Sequence, residues 1–164
     1  MGESVSVDRM EISDLPRVLE IERRSFKAPW TRYAFLKFLK EQTSFCIVAR
    51  GEAEVVGYGV AWFTPNECHV GNVAVEETYR RKGIGTLLLK SMLREARERG
   101  AIRATLEVRM SNSPAISLYK RHGFQELAIR RGYYYPDGED ALVMMKEIQF
   151  DESQEGPGPA TQSS

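Results

Sequence analysis

With 164 residues, 42% of them hydrophobic and 28% charged, the chain has the make-up of one folded domain with a proper core, not of a disordered or fibrous protein. Lys+Arg and Asp+Glu both number 23, so no net field draws in a polyanion, and any basic function must be local. No apolar run reaches the ~18 residues of a membrane span, and the polar, acidic start MGESVSVDRMEISD is no secretory signal.

Residues 5–12 alternate loosely and predict a strand. Residues 14–26 predict a helix that puts Leu15, Val18, Leu19 and Glu22 on one face, with Ser13 or Asp14 as cap. Pro29-Trp30 breaks the chain, and 31–42 predicts a second helix with Ala34, Phe35, Phe38 and Leu39 inward. Strands are expected at 45–50, 55–63 and 69–75, joined as hairpins by turns at Gly51 and Pro65-Asn66. Cys46 and Cys68 lie in these apolar stretches without metal-ligand spacing, so they read as reduced core thiols and point to the cytoplasm. A long helix is expected over 83–99, with Ile84, Leu87, Leu88, Met92 and Ala96 inward and Gly100 as its stop. A strand at 102–109 precedes a short helix at 114–121, capped by Ser113 and ended by Gly123. Strands at 124–131 and 141–148 close the domain. The order is mostly antiparallel hairpins plus one strand–helix–strand crossover, hence a mixed α+β fold. The tail DESQEGPGPATQSS, 151–164, is too polar and too rich in Gly and Pro to order itself, which leaves a domain of about 1–150.

Two stretches carry chemistry. YRRKGIG (79–85) places Arg80, Arg81 and Lys82 at a helix start, where the dipole is already positive. A bound anion resolves that conflict, and Gly83 and Gly85 let backbone N–H groups approach it. The run is neither a P-loop nor the dinucleotide fingerprint, since Leu88 stands where G-x-G-x-x-G needs glycine. Taken alone, it reads equally well as a solvated charge run. The second stretch is TLEVRMSNSPAISLYKRHGF (105–124). In a strand, Glu107 and Arg109 share one face, which puts a carboxylate mid-strand. Asn112 sits in the following turn, and Tyr119 lies on the short helix's apolar side with Ala115 and Leu118. Glu107 and Tyr119 can therefore converge on a cleft as an acid–base pair. The plainer alternatives are an ion pair of Glu107 with Arg109, a core Tyr119 with its hydroxyl at the rim, and a turn-forming Asn112.

Through NVAV (72–75), YRRKGIG (79–85), LEVRMSNSPAISLYKRHGF (106–124) and RRGYYYPDGEDALVMM (130–145), the chain resembles the GNAT superfamily of N-acetyltransferases. The likeness is greatest to the RimI-type ribosomal-protein and archaeal N-terminal acetyltransferases. The resemblance implies a GNAT fold, a central mixed and mostly antiparallel sheet flanked by helices. It implies acetyl-CoA as the acetyl donor, no metal, and direct transfer to the α-amino group of a protein N-terminus, with ribosomal proteins among the candidate acceptors. It further implies that Arg81, Lys82, Gly83, Ile84, Gly85 and Thr86 wrap the pyrophosphate. Val73, Ala74 and Val75 would pair their backbone with the pantetheine arm, and Asn112 would contact the cofactor. Glu107 would be the general base and Tyr119 the general acid, while Pro29, Trp30 and Tyr134 would meet the acceptor. Two positions depart from the pattern: Arg80 stands where many members carry Gln, and SFKAPW (25–30) lacks an acidic residue found near there in some archaeal relatives. The rival expectations are acetylation of a lysine side chain or small amine, and a non-catalytic coenzyme A-binding module. Neither a nucleic-acid nor a membrane partner is expected.

Overall fold

The structure, a computed structural model, describes residues 4–148; the tail expected at 151–164 lies outside them. The elements run β1 (Ser6–Arg9), α1 (Leu15–Ser25), α2 (Arg32–Lys40), β2 (Ser44–Arg50), β3 (Val55–Phe63) and β4 (Glu67–Val75). Then come α3 (Ile84–Glu98), β5 (Arg103–Arg109), α4 (Ser113–Arg121), β6 (Gln125–Arg130) and β7 (Ala141–Glu147). Short 3-10 turns at Ile12–Asp14 and Glu77–Tyr79 precede α1 and follow β4.

The helix ends follow local chemistry, with two departures from expectation. Asp14 precedes α1 but makes no side-chain cap bond. Its carboxylate instead accepts from Glu11 N at 2.8 Å and from both terminal nitrogens of Arg50, at 2.8 and 3.0 Å. Asn112, and not Ser113, caps α4: Asn112 Oδ1 accepts from Ala115 N at 3.2 Å, and Ser113 is already helical. Thr31 caps α2 through Ala34 N. In α3 the inward stripe is Ile84, Leu88, Leu89, Met92 and Ala96. Leu87, expected inward, is 38% exposed. Leu87 lines an open groove with Val5, Val7, Phe45 and Ile47, at the β1–β2 edge of the sheet.

The strands form one seven-stranded sheet in the order β1-β2-β3-β4-β5-β7-β6. Two cores sandwich it. One, under α3 and α4, contains Ile47, Val56, Cys68, Leu88, Met92 and Leu106. The other, under α1 and α2, contains Leu15, Val18, Phe35, Cys46, Tyr58 and Val60. Both cysteines are free and buried. Helices α1 and α2 pack on β2, β3 and β4, and every residue of β6 is exposed.

The decisive feature is the contact between β4 and β5, the parallel neighbours joined through α3. They pair only at Glu67↔Arg103, Cys68↔Ala104 and His69↔Thr105. Beyond His69 each strand stays with its other neighbour, β4 with β3 and β5 with β7. Between Ala61↔Val70 and Gly59↔Val73, β4 holds one residue more than β3, which is a bulge at Gly71 and Asn72. The bulge bends β4 where it leaves β5, and a gap opens between the two strands.

Gly71 is required in that bend. A Cβ there would lie 2.7 Å from Trp62 Cζ3, 3.0 Å from the Val60 carbonyl oxygen and 3.1 Å from Trp30 Cη2. At Gly59 the close atom is Met92 Sδ, near the end of a flexible side chain. Gly71→Ala should therefore cost about 1–3 kcal/mol of stability, and Gly59→Ala clearly less. Urea unfolding midpoints check this, and equal midpoints for the two variants would contradict it.

Candidate active site

Thr105 is the last residue of β5 that pairs with β4, and Glu107 stands two residues further on the same face, at the mouth of the gap. His69, the last paired residue of β4, reaches across: its Nε2 lies 2.9 Å from Glu107 Oε1. Thr105 Oγ1 lies 3.3 Å from His69 Nδ1. One neutral tautomer satisfies both contacts, with Nε2–H donating to the carboxylate and Nδ1 accepting from the hydroxyl. The bond from His69 holds the Glu107 carboxyl below the usual carboxylate range; partial burial opposes the shift, and the Arg130 charge favours it.

Arg109 does not pair with Glu107. Its Nη1 bonds Asp137 Oδ2 at 2.8 Å and Glu139 Oε1 at 3.0 Å, and its guanidinium lies 4.3 Å from the centre of the Tyr134 ring. Glu139 Oε2 accepts from Ser111 N at 2.8 Å, and Asp140 Oδ1 accepts from Gly132 N at 2.8 Å. These acids brace the segment between β6 and β7 and fix Tyr134 over the gap. Burial pushes the Tyr134 phenol up to about 12, with the Tyr133, Glu107 and Glu139 charges adding and Arg109 opposing.

Tyr119 is 6% exposed on α4, with its ring edge-on to Phe124 at 5.6 Å. Burial raises its phenol well above an ordinary tyrosine, and Tyr134 adds to the rise. Tyr134 thus lies within electrostatic reach of both Glu107 and Tyr119, which come from different elements. Tyr133 packs edge-on against Tyr134 at 5.0 Å, while Tyr135 is 84% exposed.

An aromatic wall rises on the β3–β4 side of the same mouth. Trp62 stacks on His69 with ring centres 4.6 Å apart, and Trp30 lies 6.4 Å from Trp62 and 5.1 Å from Phe38. Pro29, beside Trp30, is exposed. Lys27 Nζ lies 3.6 Å from Asp137 Oδ2, so an ion pair spans the mouth from the α1–α2 connection to the β6–β7 segment.

The basic turn lies beyond the C-terminal end of β4, at the start of α3. Arg81 adopts φ +65° and Gly83 φ +82°, so successive N–H groups curl into a concavity. The N–H groups of Ile84, Gly85 and Thr86, in the first turn of α3, have no acceptor within the helix. Gly85 also borders α4, since a Cβ there would lie 3.3 Å from Leu118 Cδ2. Arg80 Nε donates to the Val75 carbonyl at 3.0 Å, which ties it to the end of β4, and Lys82 Nζ lies 5.1 Å from the centre of the Tyr79 ring. Val73, Ala74 and Val75 pair with β3 on one side and, among the described residues, have no strand on the other. Asn112 spends its Oδ1 on the α4 cap.

A concavity of about 950 Å³ between α3 and the end of β7 includes Lys90, Arg94 and Lys146 but none of the residues above. Among the described residues, no group of His, Cys, Asp or Glu is arranged to hold a metal ion. Sequence reasoning missed His69, Thr105 and the partners of Arg109. His69 was findable: it is one of two histidines, and in a strand it faces away from the apolar Cys68 and Val70. The partners of Arg109 sit 28 and 30 residues away, beyond the reach of local pattern.

A parted strand pair with a basic concavity at one end and a carboxylate and a phenol at the other is suited to hold an anionic group beside an acid–base pair. The model of the acetyltransferase (GNAT) family matches residues 15–124, and the chain belongs to that family. It is an acetyltransferase. It is 38% identical over 156 residues to an N-alpha-acetyltransferase of Sulfurisphaera tokodaii, covering 87% of this chain and 93% of that one. To the ribosomal protein bS18-alanine N-acetyltransferase of Escherichia coli it is 35% identical over 148 residues, covering 88% and 99%. The crystal structure of the ribosomal-protein-S18-alanine N-acetyltransferase from Escherichia coli superposes with a TM-score of 0.81 at 32% identity, covering 90% of this chain and 96% of that one.

The brace around Arg109 has a pH signature. Hydrogen bonds from Ser111 and Arg109 push Glu139 down to about 2. A depressed carboxylate adds stability above its ordinary value of about 4.3, and that stability is lost as pH falls toward the folded-state value. The melting temperature of Glu139→Gln should lie below that of the unaltered protein near neutrality, and the difference should shrink below about pH 4. A difference that grows on acidification would contradict the brace.

Proposed function

We propose that this acetyltransferase moves acetyl from acetyl-CoA to the α-amino group of a protein N-terminus, with ribosomal proteins as the favoured acceptors. The observation that carries the reading is the ionised Glu107 carboxylate, held by His69 where β4 and β5 part. The named relatives above support the choice of acceptor.

In this reading the diphosphate of the donor sits in the concavity at Arg81, Lys82, Gly83, Ile84, Gly85 and Thr86, where backbone N–H groups and the helix dipole favour an anion. The pantetheine arm enters the gap and takes the open backbone edge of Val73, Ala74 and Val75, as a missing strand would. Asn112 has its amide NH2 left to donate to the cofactor. The acceptor's first residues pass between Pro29 and Trp30 on one side and Tyr134 on the other, with Tyr134 bonding the peptide through its hydroxyl.

The amine nitrogen attacks the thioester carbonyl carbon, and the C–S bond breaks as the N–C bond forms. Glu107 accepts the proton leaving the amine, directly or through one water, with His69 holding the carboxylate in place. Tyr119, kept protonated by burial, gives its proton to the departing thiolate. A backbone N–H of the 73–75 stretch meets the carbonyl oxygen as charge develops there. An α-amine titrates near ~7.7–8.0 and a lysine near ~10.4, so a depressed carboxylate suits the first far better. No cysteine enters the scheme, since Cys46 and Cys68 are buried and burial raises both thiols. Two reduced thiols also support a cytoplasmic setting.

Glu107→Gln and Tyr119→Phe should each lower kcat by roughly 10²-fold or more, while acetyl-CoA still binds. Mass spectrometry of peptides with free and blocked N-termini, incubated with enzyme and acetyl-CoA, checks the acceptor. Acetyl found only on lysine side chains would overturn the α-amine reading.

A further inference from the structure

Glu22 lies on the inward face of α1 and is 0% exposed, which is unusual for a carboxylate. No cation faces it. Three donors from three other elements do. Trp30 N–H, from the α1–α2 connection, donates to Oε2 at 2.8 Å. Asn72 Nδ2, from the β4 bulge, lies 3.1 Å from Oε1 and 2.9 Å from Oε2. The Tyr58 hydroxyl, from β3, donates to Oε1. Burial raises the Glu22 pKa and the bonds from Trp30, Tyr58 and Asn72 oppose that rise; as a carboxylate Glu22 only accepts, and these groups donate, so it is a matched anchor. A buried acid is expensive unless every bond is made, and a well-packed apolar residue would serve α1 more cheaply.

The anchored groups show what the carboxylate is for. Trp30 belongs to the wall beside the gap, and Asn72 belongs to the bulge where β4 leaves β5. The Glu22 side chain is bonded to both.

We propose that Glu22 is a positioning residue, which sets the Trp30 wall in register with the β4 bulge and thereby places the acceptor's N-terminus against the donor's carbonyl. It rests on the reading of Trp30 as acceptor wall. Glu22 touches neither substrate nor cofactor. Its effect falls on the acceptor, because the donor is held by the turn at 81–86 and by backbone, none of which bonds Glu22. Glu22→Gln keeps the shape and turns one acceptor into a donor that faces other donors.

The test combines steady-state kinetics on an N-terminal peptide with calorimetric titration of acetyl-CoA alone, on Glu22→Gln, Trp30→Ala and the double variant. Glu22→Gln should raise the peptide KM about tenfold, with the acetyl-CoA Kd moving less than about threefold. In the Trp30→Ala background the same change should add less than about twofold, because the wall to be positioned is gone. Asn72→Ala, which breaks the tie from the other end and keeps the carboxylate, should show the same split. An unchanged peptide KM in a folded Glu22→Gln, a full tenfold effect persisting without Trp30, or an equal loss of acetyl-CoA binding would each overturn the proposal. Loss of the fold in both Glu22→Gln and Asn72→Ala would overturn it too, because the tie would then hold up the domain as a whole. If Trp30→Ala leaves the peptide KM unchanged, the acceptor-wall reading falls with it. If Trp30→Ala raises that KM and Glu22→Gln does not, only the present proposal falls.

Discussion

Parallel neighbours that stop pairing after three residues leave the β5-facing edge of β4 without a strand beside it among the described residues, with the Val75 carbonyl taken up by Arg80 Nε. Backbone polar groups away from water must be satisfied, so a fold can keep such a gap open only where water or a ligand reaches it. Everything else in this structure arranges itself around that gap. The bulge at Gly71 and Asn72 bends β4 away, and β7 inserts between β5 and β6 so that β5 keeps a full partner on its far side. Helix α3 starts just past the end of β4 and turns its unbonded N–H groups outward there.

Charge is distributed along the gap in the same order. At one end a left-handed Arg81 and Gly83 shape a cationic concavity; at the other, an ionised carboxylate and two phenols kept protonated by burial meet. The first end favours an anion and the second a protonated amine. The low pKa of Glu107 has its largest cause in the bond from His69, with Arg130 adding, and His69 in turn contacts Thr105. The pairing that closes the sheet at His69↔Thr105 therefore also builds the chemistry one step beyond it.

The element order and the crossover were legible because apolar periodicity, prolines and glycines act within a few residues of themselves. Val55–Phe63 and the helix on Gly83 show this well. Caps were less legible, since Asn112 and Ser113 are both good cap formers and the choice depends on where the chain leaves β5. Leu87 misled because a helix face is read to about a quarter turn, and the sheet decided which flank was covered. The bulge left no sequence sign beyond Gly71. Pairings such as Glu107 with His69, and Arg109 with Asp137 and Glu139, join residues 28 to 38 positions apart or bridge different strands, so they exist only in the fold. Glu22 was visible on an apolar stripe, but its meaning required the three donors that surround it.

Amide hydrogen exchange with and without acetyl-CoA probes the gap most directly. Slowed exchange at residues 73–75 and at the 81–86 turn, with β1 and β2 unchanged, is the outcome the gap requires when it holds the donor. Donor binding that leaves those amides exchanging as before would contradict it.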